Sequence, residues 1–195
     1  NGGILASCSI VPVTGPGLTR KSPAYLADPN FPLFLRWRYL PKLVPWLVRY
    51  MSHANEADTR RISQGLTTIV GDSLEQHQAL TAGTKAAKWV QESLYSFAYR
   101  DRAAFDADSF AWQLRREAGF EPEIIQGQDV RDAEPILGPD TTLLAVMKNH
   151  GFILNPGSYV KDLVELFKDL GAISIQTEVK DFDPCEDHIS AIDTS

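Results

Sequence analysis

The chain has 195 residues, of which 44% are hydrophobic and 23% are charged. This composition is typical of a globular protein, and it excludes disorder as a description of the whole chain. The 19 basic and 25 acidic side chains give a net charge of −6. That charge disfavours nucleic acid as a partner, because phosphate binding needs a cationic face.

The first 50 residues are rich in proline and in basic residues, which predicts irregular loops with short helical pieces. Within them, residues 34–50 interleave large aromatic rings with positive charges. One hypothesis is an interfacial helix that makes peripheral contact with an anionic membrane. The alternative is an amphipathic helix packed on its own domain with its arginine side chains in water. The packed helix is favoured, since the prolines keep each helical piece short.

The first half of the chain is predicted to be mainly helical. Helical spacing of apolar residues predicts a helix over 40–51 and a second helix from a cap at Asn55 to Gly83. Glycines at 65 and 71 weaken that second helix. Alternating aromatics predict a strand over 89–99, and a helix is expected over 102–118 with Gly119 as its stop.

The second half is predicted to alternate strands and helices. Strands are expected at 123–126, 143–148 and 152–154, the last two forming a hairpin around a turn at 149–151 that contains His150. Asp129 is expected to cap a single helical turn between the strands at 123–126 and 143–148. Asn155 and Pro156 predict the start of a helix that ends at Gly171. A strand should follow at 173–179, and 189–195 alternates like a strand whose partner would follow it.

The sequence shows no recognisable site for a metal ion or a nucleotide phosphate. Cys8 and Cys185 share no ligand spacing with each other or with the four histidines. No glycine-rich dinucleotide fingerprint, phosphate loop or nucleophile elbow occurs. His77 is expected to be structural, and nothing basic adjoins Cys8 to activate its thiol. With no apolar run near the roughly 20 residues of a membrane span, a cytoplasmic or membrane-peripheral location is expected.

Four stretches, taken in order, give the chain a family resemblance. They are the Asn-Gly-Gly turn at 1–5, the aromatic and basic stretch at 32–49, the Glu-Pro turn at 132–137, and the capped helix with its following strand at 151–179. Together they resemble the D-amino-acid dehydrogenase and glycine oxidase branch of the FAD-dependent amine oxidoreductases. The resemblance runs over nearly the whole chain.

The resemblance implies an α+β fold with a mixed, mainly antiparallel sheet and packed helices. Residues 1–150 are expected to form a substrate-type domain with a helical insertion at about 31–83. Residues 151–195 are expected to supply one returning βα element of a Rossmann-like FAD domain. The family's N-terminal glycine loop and C-terminal half have no counterpart here, so the resemblance implies a middle fragment, inactive alone, that self-associates through the face left by the missing domains.

The same resemblance assigns candidate site residues. The turn at Asn1, Gly2 and Gly3 is expected near the isoalloxazine ring of FAD, since glycine lets a main chain approach a flat ring closely. The backbone at Val179 is expected to contact the adenine moiety. No catalytic residue is assigned. Three aromatics alternate along the predicted central strand and are either pocket wall or core, with core favoured because burial is their default: Tyr95, Phe97 and Tyr99.

Two functions of different classes remain open. The first is an enzyme whose intact form oxidises the Cα–N bond of a D-amino acid, glycine or a cyclic imino acid by hydride transfer to FAD. Its substrate is a small-molecule amine, and its electron acceptor is oxygen or a quinone. The second is a non-catalytic α+β binding module that uses the basic aromatic stretch. A self-contained module should be monomeric, whereas a fragment should expose apolar surface and associate.

Overall fold

The computed structural model describes residues 3–17 and 37–194. Seven α-helices, two 3-10 helices (Trp37–Tyr39 and Lys85–Trp89) and six strands lie in these ranges. The strands are β1 (Ile4–Leu5), β2 (Val90–Tyr99), β3 (Glu123–Gln126), β4 (Leu143–Ile153), β5 (Val179–Cys185) and β6 (His188–Thr194). The helices are α1 (Leu40–Ser52), α2 (Glu56–Val70), α3 (Ser73–Thr81), α4 (Arg102–Ala107), α5 (Ser109–Glu117), α6 (Gln128–Ala133) and α7 (Pro156–Asp169).

The main sheet is antiparallel and is organised around β4. Strand β2 pairs along the whole of β4, from Val90 opposite Ile153 to Tyr99 opposite Leu143. On the other side of β4, β1 pairs near one end and β3 near the other. Strands β5 and β6 form a separate two-stranded hairpin. The combination of helices with antiparallel sheet confirms the predicted α+β class.

The core of the protein lies on both faces of β4. Leu143, Ala145 and Met147 pack with Phe105 of α4 and Trp112 of α5. The alternate residues of β4 pack on its other face, against Val130 of α6. A strand buried on both faces reads as a continuous apolar run, which is why residues 143–147 carry no polar side chain.

The predicted hairpin at 143–154 is wrong, because β4 runs through the expected turn without interruption. Asn149 adopts a left-handed conformation (φ 59°) inside the strand, and β2 shifts register between Ser93 and Tyr95. Because of this irregularity, β4 contains Asn149 and Gly151, which look like turn residues in the sequence, without ending the strand. Gly151 is needed for packing, since a Cβ there would lie 2.5 Å from the carbonyl oxygen of Gln91 and 2.7 Å from the side chain of Leu74.

Two long predicted helices are each divided in two. The helix expected over 55–83 breaks between α2 and α3, where the Gly71 amide donates to the carbonyl of Thr67 at 2.9 Å. The helix expected over 102–118 breaks at Asp108, whose carboxylate is drawn into a hydrogen bond with the Tyr99 hydroxyl. Both breaks place a polar or flexible residue where the chain changes direction.

The remaining helix predictions divide between confirmation and small corrections. Helix α1 matches its predicted span within one residue. Asn155 caps α7 by accepting the Ser158 amide, and Gly171 ends the turn beyond it with φ +91°. The short helix near Asp129 forms, but Gly127 stands at its cap position and no side chain caps it.

The strand predicted at 173–179 is wrong. Residues 172–178 carry no strand, and β5 begins only at Val179. Alternating side chains give strand propensity, but propensity alone does not form a strand, which also needs the edge of a neighbouring strand. The final strand does form, although its partner β5 precedes it instead of following.

Some predictions fall outside the described residues. Asn1, Gly2 and the part of the basic aromatic stretch before residue 37 belong to this group. Among the helices that the structure describes, none is both long and apolar enough to cross a membrane. The domain boundary predicted near residue 150 stays a prediction.

Candidate functional site

Gly3 approaches β4 so closely that no other residue fits. The Ile153 amide donates to the Gly3 carbonyl at 2.5 Å, and a Cβ on Gly3 would lie 2.7 Å from the Ile153 carbonyl oxygen. This packing supplies a structural reason for the glycine. Beside it lies a groove of about 430 Å³ at the start of α7, lined by Gly3, Ile153, Leu154, Asn155, Pro156 and Gly157.

The chain that follows Gly3 forms one wall of a second cleft. Its volume is about 350 Å³, and it is lined by Ile4, Leu5, Ala6, Ser9, Val70, Ser73 and Tyr95. Most of these side chains are apolar or small. The structure therefore brings Tyr95, one of the predicted pocket residues, to the segment next to the predicted flavin contact.

Tyr95 stacks on a buried histidine. The Tyr95 and His150 rings lie 5.5 Å apart and are nearly parallel, at 19°. His150 is only 1% exposed. Its Nε2 accepts the Cys8 amide at 3.0 Å, and its Nδ1 lies 2.8 Å from the Lys148 carbonyl. A neutral ring with its proton on Nδ1 satisfies both contacts, so His150 holds residue 8 against the sheet and is not the surface turn residue that was predicted.

Phe97 and Tyr99 point into the packed interior. Both contact the cluster built around Trp112, which lies edge-on to Phe97 with ring centroids 5.1 Å apart. The Tyr99 hydroxyl donates to Asp108 at 2.8 Å and accepts from Trp112 Nε1 at 2.9 Å. Burial, together with the Asp108 carboxylate, raises the pKa of Tyr99 to about 12. Phe97 and Tyr99 thus occupy core positions, and their role in a substrate pocket stays a prediction.

Arg115 is a buried cation that the sequence analysis missed. It is 7% exposed, and its Nε and Nη1 have no hydrogen-bond partner within residues 3–17 and 37–194. Its guanidinium lies 4.4 Å from the Phe97 ring centroid and 4.7 Å from that of Trp112. At a helix C-terminus an arginine is expected in water. Arg115 lies three residues after Trp112, so both side chains share one helix face. This spacing is the feature of the sequence that indicates burial of Arg115.

Arg115 also acts on the thiol of Cys8. Burial raises the pKa of Cys8, and the nearby guanidinium only partly opposes that effect. The thiol is therefore protonated at neutral pH and is not a nucleophile. The sequence suggested no basic group beside Cys8, whereas the structure places the Arg115 guanidinium near it.

A third, more polar cleft opens where β2 and β4 are irregular. It has a volume of about 530 Å³ and is lined by Leu74, Glu75, Gln78, Glu92, Ser93, Leu94, Lys148, Asn149 and His150. Gln78 donates to Glu92 at 2.7 Å across it. Its carboxylates suit a polar or cationic group. No group of acidic, histidine or cysteine side chains that suits a metal ion occurs in the described part of the chain.

Val179 lies at the start of the C-terminal hairpin, opposite Thr194. Its side chain is 47% exposed, and every residue of β5 and β6 is exposed. The hydrogen bonds found among the described residues do not join Val179 to the groove at Gly3. The adenine contact predicted for Val179 therefore stays a prediction.

The chain is similar to two curated proteins whose names refer to D-amino acids. It is 33% identical to a D-amino-acid oxidase of Bradyrhizobium diazoefficiens over 164 residues, which cover 84% of this chain and 39% of the relative. It is 26% identical to D-amino acid dehydrogenase 2 of Ralstonia nicotianae over 144 residues, or 70% of this chain and 32% of the relative.

This chain belongs to the FAD-dependent amine oxidoreductase family. The resemblance placed the chain in the D-amino-acid dehydrogenase and glycine oxidase branch, and the names of the two relatives support its D-amino-acid part. The chain spans 39% and 32% of the lengths of these two relatives. No family model and no solved structure matches it.

Family members are generally flavoproteins, and the groove at Gly3 is a candidate for contact with part of FAD. The groove at Gly3 is lined by main chain and by small or apolar side chains, which suits the edge of a flat ring. The described residues contain no strand–glycine loop–helix of the kind that holds a diphosphate. The fit is therefore to the ring edge of the cofactor and not to its phosphates.

Proposed function

We propose that the full-length protein oxidises the Cα–N bond of a D-amino acid, or of glycine or a cyclic imino acid. The observation that carries this proposal is the 33% identity to a D-amino-acid oxidase over 84% of the chain. When bound, FAD would accept the hydride from the substrate Cα, while the amine loses a proton and becomes an imine that water hydrolyses. In this proposal the electron acceptor is oxygen or a quinone.

The role of this chain would be to hold the ring edge and one side of the substrate. The main chain at Gly3 and the residues that begin α7 would line the ring edge. The cleft between residues 4–9 and Tyr95 begins at Ile4, the residue that follows Gly3 of that groove. Its apolar lining would exclude water from the reacting carbon and select the substrate side chain.

The alternative of a self-contained binding module is less well supported. Helix α7 exposes a row of apolar side chains that such a module would bury: Val160, Val164, Phe167 and Leu170. Isolated apolar residues on a surface need no explanation, but a contiguous row marks a contact surface. This row favours a chain that packs against further protein.

The test uses the purified full-length protein. We expect flavin absorbance in the purified protein and turnover on a panel that includes D-alanine, D-proline and glycine. Peroxide production in air distinguishes an oxidase from a dehydrogenase that needs a dye or quinone acceptor. A protein with neither flavin nor turnover on this panel would exclude the proposal.

A variant that fills the cleft tests its role in substrate binding. Ser9 lies at its exposed rim, so Ser9→Phe should raise KM by about tenfold, in line with loss of a side-chain contact, without changing flavin content. Ser190 is an exposed serine of the hairpin, and Ser190→Phe is the matched control. Equal kinetics for the two variants would remove the cleft from the substrate site.

A further inference from the structure

Helix α1 differs from the helices that pack on the sheet. None of its 13 residues is buried, whereas α2, α3, α5 and α7 each bury at least one side chain. A helix of this length is marginal in water by itself and gains most of its stability from packing. Only one stripe of α1, which includes Leu43, Leu47 and Tyr50, is partly covered.

The uncovered side of α1 is cationic within an acidic protein. Residues 37–55 contain Arg38, Lys42 and Arg49 and no acidic side chain, although the whole chain has a net charge of −6. Among the ion pairs of residues 3–17 and 37–194, none involves these three cations. The acidic side chains of the described residues therefore leave this positive charge unneutralised.

Two of the three cations form one line along the helix. Lys42 and Arg49 lie two turns apart in α1, and Arg38 precedes the helix in the short 3-10 helix Trp37–Tyr39. All three side chains are exposed. At 100° per residue the line of Lys42 and Arg49 lies about 120° around the helix from the partly covered stripe. The positive charge therefore points away from the protein.

Exposed aromatic and apolar side chains flank the cationic line. Trp46 lies about 50° around the helix from it on one side, and Val48 and Val44 lie about 110° and 150° around on the other side, beyond Pro41 and Pro45. Tyr39 is exposed in the 3-10 helix before α1. Trp46 is 57% exposed and stacks on Tyr50 with centroids 4.8 Å apart. Tryptophan and tyrosine favour the boundary between water and lipid, because their rings are apolar with one polar atom.

We propose that α1 docks lengthwise on the surface of a bilayer that contains anionic lipids. The three cations would contact headgroup phosphates, while Trp46 and Tyr39 sit at the level of the glycerol backbone. A nucleic acid would use the same cations but has no place for the exposed valines. The helix lies on the membrane without crossing it, being about 20 Å long.

The packed-helix alternative of the sequence analysis accounts for only half of this geometry. It explains the partly covered leucine stripe. It does not explain why the exposed side combines exposed Trp46 with cations that pair with no acid among residues 3–17 and 37–194. The prolines were expected to keep the helical pieces short, yet Pro41 stands in the first turn and Pro45 lies inside an otherwise complete helix.

The experiment measures binding of the full-length protein to lipid vesicles. Co-sedimentation is followed with vesicles of phosphatidylcholine alone and with vesicles that also contain phosphatidylglycerol. We expect binding only to the anionic vesicles, weakening as salt is raised. The triple variant Arg38→Gln, Lys42→Gln, Arg49→Gln should bind on the order of 100-fold more weakly, since each cation near an anionic leaflet contributes about fivefold.

A matched triple variant controls for net charge. Arg131→Gln, Lys161→Gln, Lys180→Gln removes three exposed cations from other parts of the surface. It should bind anionic vesicles like the parent protein. Equal weakening by both triples, or no binding of the parent protein at low salt, would overturn the proposal. Binding to an acidic protein but not to vesicles would also overturn it.

Tryptophan quenching identifies the docking face. Brominated lipids should quench the emission of Trp46, and Trp46→Phe should remove most of that quenching while circular dichroism stays unchanged. Quenching that persists in Trp46→Phe would show that another surface meets the lipid. Flavin content and turnover are independent readouts, so failure of the membrane proposal leaves the enzymatic one intact.

Discussion

Helices α5 and α7 have similar amphipathic patterns but different surroundings. Helix α5 buries Trp112, Leu114 and Arg115 against the sheet. Helix α7 is longer and has an apolar stripe that is just as regular, yet it buries only Tyr159 and leaves Phe167 53% exposed. The pattern tells us that a helix has an apolar face. It does not tell us whether the covering surface lies within this chain.

The largest effect is expected where the covering surface is present. Trp112 is fully buried and donates to the Tyr99 hydroxyl. We expect Trp112→Ala to lower the free energy of unfolding by about 3–5 kcal/mol, through lost burial and a new cavity. Urea denaturation measures this change. Trp46→Ala in exposed α1 is the control, with a change within about 0.5 kcal/mol.

The hydrogen-bonded Tyr99 should make this same core sensitive to alkali. Its pKa of about 12 in the folded protein is above the ordinary value of 10.0. Below pH 10 both states keep the proton, so stability is unaffected. Between pH 10 and 12 the unfolded state loses the proton first, and stability should fall by about 2 kcal/mol in total.

The free energy of unfolding, measured by denaturation from pH 9 to 12, reports this loss. In Tyr99→Phe it should depend much less on pH over that range. Tyr39 is largely exposed, so Tyr39→Phe should leave this pH dependence unchanged. A steep loss that persists in Tyr99→Phe would assign the alkaline sensitivity to another group.

A substitution of Arg115 tests whether its buried guanidinium has an anionic partner. Burying an unpaired cation costs several kcal/mol, and contacts with two aromatic rings return only about 2 kcal/mol. Arg115→Met should therefore stabilise the protein by about 1 kcal/mol, measured by urea denaturation. A comparable loss of stability instead would show that the guanidinium has an anionic partner beyond the described residues. Arg131→Met, at an exposed position, should change little.

The smallest change in stability is expected on α7. Because Val164 and Phe167 are uncovered, Val164→Ser, Phe167→Ser should alter the unfolding free energy of this chain by no more than about 0.5 kcal/mol each. Self-association of the chain should decrease in this variant, as sedimentation velocity can measure. A loss of unfolding free energy as large as that expected for Trp112→Ala would mean that α7 is packed as tightly as α5.

The sequence predicts those features that depend on neighbouring residues. The cap at Asn155, the stop at Gly171 and the α1 span all follow from local chemistry. The course of β4 does not, because Asn149 and Gly151 look like turn residues until the packing of Leu74 and the partner strand β2 are known. The segment at 173–179 shows the same limit, since its alternation predicts a strand but not an edge to pair with.

The candidate site was predictable to a similar degree. Family motifs led to Gly3, and the structure places a groove and a cleft beside it. The hydrogen bond between Cys8 and His150 joins residues far apart in sequence, and no local pattern encodes it. Arg115 in particular has the sequence position of a solvated helix-end cation, and only its phase relative to Trp112 indicates burial.

The pairing of β1 with β4 has a consequence for how the chain folds. Ile4 lies opposite Phe152, so nearly the whole sheet-forming region separates the two partners. Closing so long a loop is entropically costly, and contacts of this kind form late. During synthesis β1 leaves the ribosome well before its partner β4. Until β4 arrives, its exposed isoleucine is a site at which chaperones or other nascent chains are able to bind.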